Sequence, residues 1–319
     1  MTPKEVFKSL KTYMNSRIIG QQVLVDRLLM TLLCDGHLLV EGAPGLAKTK
    51  AIKTLSDCIE ARAHRIQFTP DLLPADITGS DVYRPETNSF FFQKGPIFNN
   101  LVLADEINRA PAKVQSALLE AMGERQVTIG NTTYQLPELF MVMATQNPIE
   151  HEGTYNLPEA QLDRFLMYVK INHPDIESER KILKLIQAEE KKELPLEIPK
   201  IKQSVIFEAK REVLDTFMSN ELQEYMIQFV MATRMPKPYG ANLDKIIKYG
   251  ASPRGTIALD IAARAHAWLA GREFVMPEDI HSVLKDVLRH RIILTFEAKA
   301  QNITSDEVLD VLMNKVPLP

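Results

Sequence analysis

Apolar residues recur along this chain at two different periods, and the period changes near residue 173. At the start, Phe7, Leu10 and Met14 share one helical face, and Val25, Leu28, Leu29 and Leu32 repeat at i, i+3, i+4 and i+7. Five short apolar runs follow, at 37–42, 64–69, 101–106, 140–146 and 165–171, with the length and character of strands buried on both faces. The intervening segments can hold crossover helices, so the pattern predicts an α/β fold with a mostly parallel sheet. Beyond 172–181 the strand runs largely stop and long amphipathic helices take over. Their stripes are Ile182, Leu183, Leu185 and Ile186; then Leu222, Met226, Phe229 and Val230; then Ile257, Ile261, Ala265, Trp268 and Leu269; then Ile280, Val283, Leu284, Val287 and Leu288. Near the end, Thr304 and Glu307 have the spacing of a capping box. The reading is an α/β domain over 1–173 and a mostly helical domain over 174–319. A length of 319 residues suits two domains at roughly 150 residues each.

Two segments interrupt the α/β pattern. Residues 71–95 are too long for a plain connection and carry three consecutive aromatics, Phe90, Phe91 and Phe92. Residues 126–139 centre on Gly130-Asn131, which suits a β-hairpin turn. Each reads equally as cover for the core or as a working loop. The run 189–193, EEKKE, is most simply a solvated helix end.

Charge narrows the function classes. With 38 Lys and Arg against 41 Asp and Glu, the formal net charge is −3, which argues against a strongly basic nucleic-acid coat protein. Two cysteines, Cys34 and Cys58, in apolar helical patterns suggest neither a metal cluster nor a disulfide scaffold. No run approaches 18 apolar residues and the first residues lack a long apolar stretch, which reads as a cytoplasmic protein without membrane insertion. His64, His151 and His173 lack partners at metal-ligand spacing and are given no role.

Candidate chemistry begins where the first strand run ends. Gly42-Ala43-Pro44-Gly45-Leu46-Ala47-Lys48-Thr49 fits the phosphate-loop pattern G-x-x-x-x-G-K-[ST], with Ala47 in place of the last glycine. Backbone N–H groups of such a loop surround phosphates, and the following helix adds positive potential at its N-terminus. Lys48 would reach the β- and γ-phosphates and the Thr49 hydroxyl would bind Mg²⁺. Ala47 is expected to enter the helix, where a methyl group is tolerable. The plainer reading is a helix start with an unused lysine.

Leu101-Val102-Leu103-Ala104-Asp105-Glu106 is an apolar strand ending in two carboxylates. Burying it puts both at the carboxyl edge of the sheet, where open α/β proteins bind ligands. Asp105 would hold the Mg²⁺ shell and Glu106 would orient or deprotonate an attacking water. A strand ending in Asp-Glu is common alone; following the phosphate loop with one strand between, it points to a nucleotide triphosphate site. Thr145-Gln146-Asn147-Pro148 ends the next run, where a polar side chain could hold the water or the γ-phosphate, or could simply form an Asn-Pro turn. Arg164 precedes the fifth run. Arg254 follows Ser252-Pro253 in the first turn of a helix, where a cation opposes the helix dipole, which fits an arginine serving an anionic ligand. Either arginine could instead sit in a surface ion pair.

In order, GAPGLAKT, LVLADEINRAP, ALLEAMGERQVTIG, MATQNP, LPEAQLDRF and ASPRGT resemble the MoxR group of AAA+ ATPases from about Ile18 to the end of the chain. That resemblance implies a P-loop NTPase αβα core with a five-stranded parallel sheet in the order 5-1-4-3-2, followed by a helical lid. It implies a ring, usually a hexamer, with ATP sites between subunits. On the positions of this chain, Gly42 to Thr49 become Walker A, Asp105 and Glu106 Walker B with Mg²⁺ on Thr49 and Asp105, Asn147 sensor 1 and Arg254 sensor 2. Arg164 becomes the arginine finger reaching a neighbour, and Arg109 a second interface candidate. Ile18, Ile19, Gly20 and Gln21 resemble the segment beside the adenine, although a plain loop between helices would look the same. By that resemblance the two insertions correspond to the helix-2 insert and the pre-sensor hairpin, which face the pore in related rings.

The implied activity is Mg²⁺-dependent ATP hydrolysis that remodels or matures a protein client, in such systems often one with a von Willebrand factor A-like domain, sometimes with insertion of a metal or cofactor. The alternatives are an ATP-switched scaffold with negligible turnover, which would not need Glu106 and Asn147, and a DNA-translocating ring, against which the acidic balance counts.

Overall fold

The computed structural model describes residues 1–148, 154–191, 198–240 and 242–318, so His151 and the end of the 189–193 run lie outside the described residues. All five strand runs become strands: β1 (Leu38–Glu41), β2 (Ala63–Gln67), β3 (Leu101–Asp105), β4 (Met141–Gln146) and β5 (Met167–Lys170). They form one parallel sheet in the order β2-β3-β4-β1-β5, the order the resemblance implies. Alternate residues feed two cores. Leu38, Val40, Leu101, Leu103, Met141, Met143, Met167 and Val169 face one layer, while Leu39, Val102, Ala104, Val142 and Ala144 face the other. Cover on both faces is why these strands read as continuous apolar runs rather than as alternation.

The run 64–69 departs from that expectation. Its strand is at the sheet edge, bonded only to β3, and only Ile66 of its five residues is buried. An edge strand with one partner tolerates polar side chains, and Arg65 and Gln67 emerge together on the side of β3. The register pairs Gln67 with Asp105.

Helices Pro3–Arg17, Gln22–Leu33 and Lys48–Cys58 cover one face of the sheet, and helix Ala112–Glu124 covers the other. Phe7, Leu10 and Met14 are buried as their spacing predicts, and so are Val25, Leu28, Leu29 and Leu32. Cys58 is buried and Cys34 partly so; both are free thiols, and burial pushes the Cys58 thiol up to about 12. No described helix is long and apolar enough to cross a membrane.

After β5 the described chain is mostly helical, with one two-stranded pair, Ile247–Tyr249 and Ile293–Leu294. Helix Asn220–Arg234 and helix Pro277–Leu288 bury the expected stripes, and Thr304 caps helix Ser305–Lys315 with Glu307 answering. Two stripes come out differently. Helix Pro253–Leu269 buries Ala258, Leu259, Ala262, Ala263 and Ala265, while Ile257 is 68% exposed. The stripe holds at Ala265 and Trp268, both buried, and Ile261 and Leu269 pack against the core; Ala258, Ala262 and Ala263 widen the contact face, and of the stripe Ile257 alone turns outward. Helix Ile176–Glu190 buries no residue, and Leu183 points outward.

A buried carboxylate anchors this helical part. Asp279 is fully buried; burial alone would raise its pKa, but donors from Arg272, His266 and the Met276 N–H hold it down at about 2. Because the folded pKa lies below the unfolded value, the stabilisation is complete above about pH 4 and is lost as pH falls towards 2. We expect the wild type to exceed Asp279→Asn by about 2 kcal/mol near neutral pH in urea unfolding, and the gap to narrow below pH 4. A gap constant down to pH 2 would contradict this.

Both insertions are structured. The first continues from a short helix, Pro74–Thr78, into a hairpin of Gly79–Arg84 and Ser89–Lys94. A Cβ on Gly79 would meet the Gln93 carbonyl at 2.2 Å, and its φ is +92°, so glycine is required there. The second is a hairpin of Gln126–Ile129 and Thr132–Gln135, turning at Gly130 with φ +57° as its sequence predicts. Phe92 of the first stacks on Tyr134 of the second at 4.1 Å, joining the two insertions.

Candidate nucleotide site at the carboxyl edge of the sheet

The phosphate loop leaves β1 at Gly42, where a Cβ would lie 2.4 Å from Ile171. Gly45 at φ +84° and Ala47 at φ +56° then turn the backbone left-handed before helix Lys48–Cys58 begins. Ala47 is therefore the residue before the helix and not its first turn, a correction to the sequence reading. A methyl group in that conformation costs about 1–2 kcal/mol, which a glycine would avoid. Lys48 Nζ donates to the Gly42 carbonyl at 2.6 Å, folding its charge back across the loop.

The loop opens on a cleft of about 350 Å³ in which Lys48, Thr49, Asp105, Glu106 and Asn147 all take part. Three neighbouring strands deliver them, because β1, β3 and β4 all end at this edge. Asp105 is 8% exposed; its Oδ1 accepts from the Thr145 hydroxyl at 2.6 Å, and its Oδ2 accepts from Arg65 Nη2 at 2.7 Å and Nε at 3.0 Å. Glu106 takes the left-handed conformation, φ +57°, and its N–H donates to the Thr145 hydroxyl oxygen at 2.9 Å. Its carboxylate Oε2 accepts from Gln67 Nε2 at 2.8 Å and Arg109 Nη1 at 3.1 Å. Arg109 thus meets Glu106 of its own chain. Asn147 is buried at the end of β4.

Arg65 lines this cleft, and Gln67 and Thr145 bond its two acidic residues; the sequence reading singled out none of the three side chains. Arg65 and Gln67 are two apart, so they share a face of β2; reading 64–69 as a buried strand hid that signal. Thr145 stands inside the Thr-Gln-Asn-Pro motif and ties both acidic residues to β4.

Divalent-cation chemistry fits these donors. Among the described residues no cluster of three His, Cys, Asp or Glu side chains could hold a metal. One carboxylate and one hydroxyl, Asp105 and Thr49, are the hard oxygen set that Mg²⁺ uses when phosphates supply other ligands. In this structure the Arg65 guanidinium occupies one oxygen of that carboxylate.

The Ile18–Gln21 segment comes to the same edge. Gly20 has φ +79° and lies against Pro174, and Gln21 Nε2 donates to the Asn172 carbonyl at 2.8 Å. Both partners follow β5, whose next residue, Ile171, closes on Gly42.

Arg164 and Arg254 lie elsewhere. The Leu166 N–H donates to the His37 carbonyl just before β1, so the turn carrying Arg164 is at the amino edge. Asp163 in that turn accepts from Ser252 Oγ at 2.7 Å and Arg291 Nε at 2.8 Å, and Ser252 also caps helix Pro253–Leu269 by accepting from the Arg254 N–H. Arg254 is exposed beside this junction. Strands rise about 3.3 Å per residue, so the two edges stand about 15 Å apart. The Ser252–Asp163 bond joins the segments that carry Arg254 and Arg164, at the edge opposite Lys48 of the same chain.

Comparison with known proteins agrees with this fold. The profile of the ATPase family associated with various cellular activities (AAA) matches residues 37–167, and that of the AAA lid domain matches residues 241–311. The chain is 44% identical to the chaperone MoxR1 of Mycobacterium tuberculosis, over 95% of this chain and 79% of that protein. It is 30% identical to protein MoxR of Paracoccus denitrificans, over 98% of this chain and 96% of that one. A crystal structure from Cytophaga hutchinsonii superposes with a TM-score of 0.90 at 42% identity, covering 99% of this chain and 96% of the other. A five-stranded parallel core, a helical lid and relatives that share nearly its whole length place this chain in the MoxR family of AAA+ ATPases.

Proposed function

We propose that this chain binds Mg·ATP and hydrolyses it within a ring, most simply a hexamer, to remodel a protein client. The observation that carries the reading is the split between the two edges of the sheet. Lys48, Thr49, Asp105, Glu106 and Asn147 meet in one cleft, while the segments that carry Arg164 and Arg254 join at the far edge. A complete site then needs a neighbour to bring its arginines to the cleft.

In that site the loop N–H groups and Lys48 bind the β- and γ-phosphates. Thr49 and Asp105 hold Mg²⁺, which when bound neutralises phosphate charge. Glu106 aligns the attacking water for in-line displacement, Asn147 orients it, and the neighbour's Arg164, with Arg254, meets the charge on the transferring group. Ile18, Ile19 and Gly20 border the adenine. The core spans 1–173 and the lid 174–319, and the two joined hairpins face the client. The resemblance to MoxR proteins supports a cytoplasmic location and a client carrying a von Willebrand factor A-like domain.

Steady-state phosphate release tests this. Specific activity should rise with protein concentration as subunits assemble, from a very slow isolated subunit. ATP binding with no phosphate release at any concentration would favour a nucleotide-switched scaffold and overturn the proposal.

A further inference from the structure

Arg65 occupies the carboxylate that a divalent cation would need. Its guanidinium places two donors on one oxygen, Oδ2 of Asp105, at 2.7 and 3.0 Å, and Thr145 takes the other oxygen. Both oxygens of Asp105 are engaged, and of the two partners only Arg65 is charged and exposed. Asp105 is 12% exposed at its side chain and Arg65 53%, so the arginine reaches in from solvent and has room to withdraw. The same Nη2 donates to Gln67 Oε1 at 2.7 Å, which gives the guanidinium a second foothold on its own strand.

A cation on Asp105 would have to share Oδ2 with the guanidinium or displace it. Two positive groups on one oxygen in a largely buried site repel strongly. We infer that Arg65 is a positioning residue that holds Asp105 towards the cleft when no cation is bound and competes with Mg²⁺ for it, thereby setting the Mg²⁺ concentration at which nucleotide binds tightly. This rests on the Mg·ATP reading of the cleft. Gln67 retains the arginine on β2 after displacement, so the exchange is reversible.

The test is binding and not turnover. A fluorescent ADP analogue is titrated into the full chain in EDTA and across a Mg²⁺ series, for wild type, Arg65→Ala, Arg65→Lys and Asp105→Asn. Solvent screens the exposed guanidinium end of the pair, so Arg65→Ala should lower the half-saturating Mg²⁺ about two- to fivefold, read against each variant's own affinity in EDTA. Arg65→Lys should fall between, because a single ammonium cannot repeat the two-donor contact. Asp105→Asn should lose most of the Mg²⁺ dependence. A clear wild-type Mg²⁺ dependence that is unchanged or weakened in Arg65→Ala overturns the role of Arg65. Wild-type binding that ignores Mg²⁺ overturns the cation reading of the cleft itself, and the inference with it.

Discussion

Replacing Arg164 with alanine should lower ATP turnover of the assembled protein by about 10³–10⁵-fold, the range an arginine supplied to a phosphoryl-transfer site commands. Nucleotide affinity of the subunit should barely change, because Arg164 stands at the amino edge of the sheet, away from the cleft that holds Lys48 and Asp105. The side chain lies against Gly123, where an added Cβ would come within 3.5 Å of the guanidinium. Its turn is held by Asp163, which Ser252 and Arg291 bond from the helical part. The truncation therefore removes a charge without loosening the turn. Mixing Arg164→Ala subunits with Glu106→Gln subunits separates action in trans from damage. If Arg164 serves a neighbour, some mixed interfaces pair an intact arginine with an intact glutamate and activity returns. Full turnover in Arg164→Ala alone would remove the finger assignment and leave Arg254, at the same edge, as the cation to examine.

Glu106→Gln is the second large effect. The amide keeps the size of the side chain and an oxygen that can still accept from Gln67 and Arg109, so the left-handed turn after β3 should persist. What disappears is the carboxylate charge that aligns or deprotonates water. We expect kcat to fall about 10²–10⁴-fold with ATP affinity nearly unchanged, measured by single-turnover hydrolysis beside equilibrium binding. A variant that turns over at the wild-type rate would show that the water is activated elsewhere. The glutamate is held by Gln67 and Arg109 of its own chain, so hydrolysis also requires it to exchange those partners for water.

Much of this protein was legible in its residues because the information is local. The five strand runs, the hairpin turning at Gly130 and the Thr304 cap depend on period, turn chemistry and spacing within a few residues, and all were found. The phosphate loop and the Asp105-Glu106 pair were legible for the same reason: each is a short segment whose strand ends at the carboxyl edge in any parallel sheet. Errors arose where a property depends on neighbours. Residues 64–69 read as a buried strand because Ile66 and Phe68 are apolar, but edge position is a fact about β3, not about the run. Ile257 looked like a core residue until the alanines beside it proved to be the surface on which two other helices pack. Ala47 looked helical because its strain is visible only in backbone angles.

Sequence alone determined the strands, the loop that joins β1 to helix Lys48–Cys58 and the identity of the acidic pair, since backbone chemistry and side-chain period act over a few residues. Tertiary structure alone decided which polar groups meet. It put Arg65 and Gln67 of an edge strand onto Asp105 and Glu106, and it used Asp163 and Ser252 to join the segments that carry Arg164 and Arg254. Those contacts join residues tens to nearly a hundred positions apart, and only the order of strands in the sheet and the packing of the helical part against it bring them within hydrogen-bond reach.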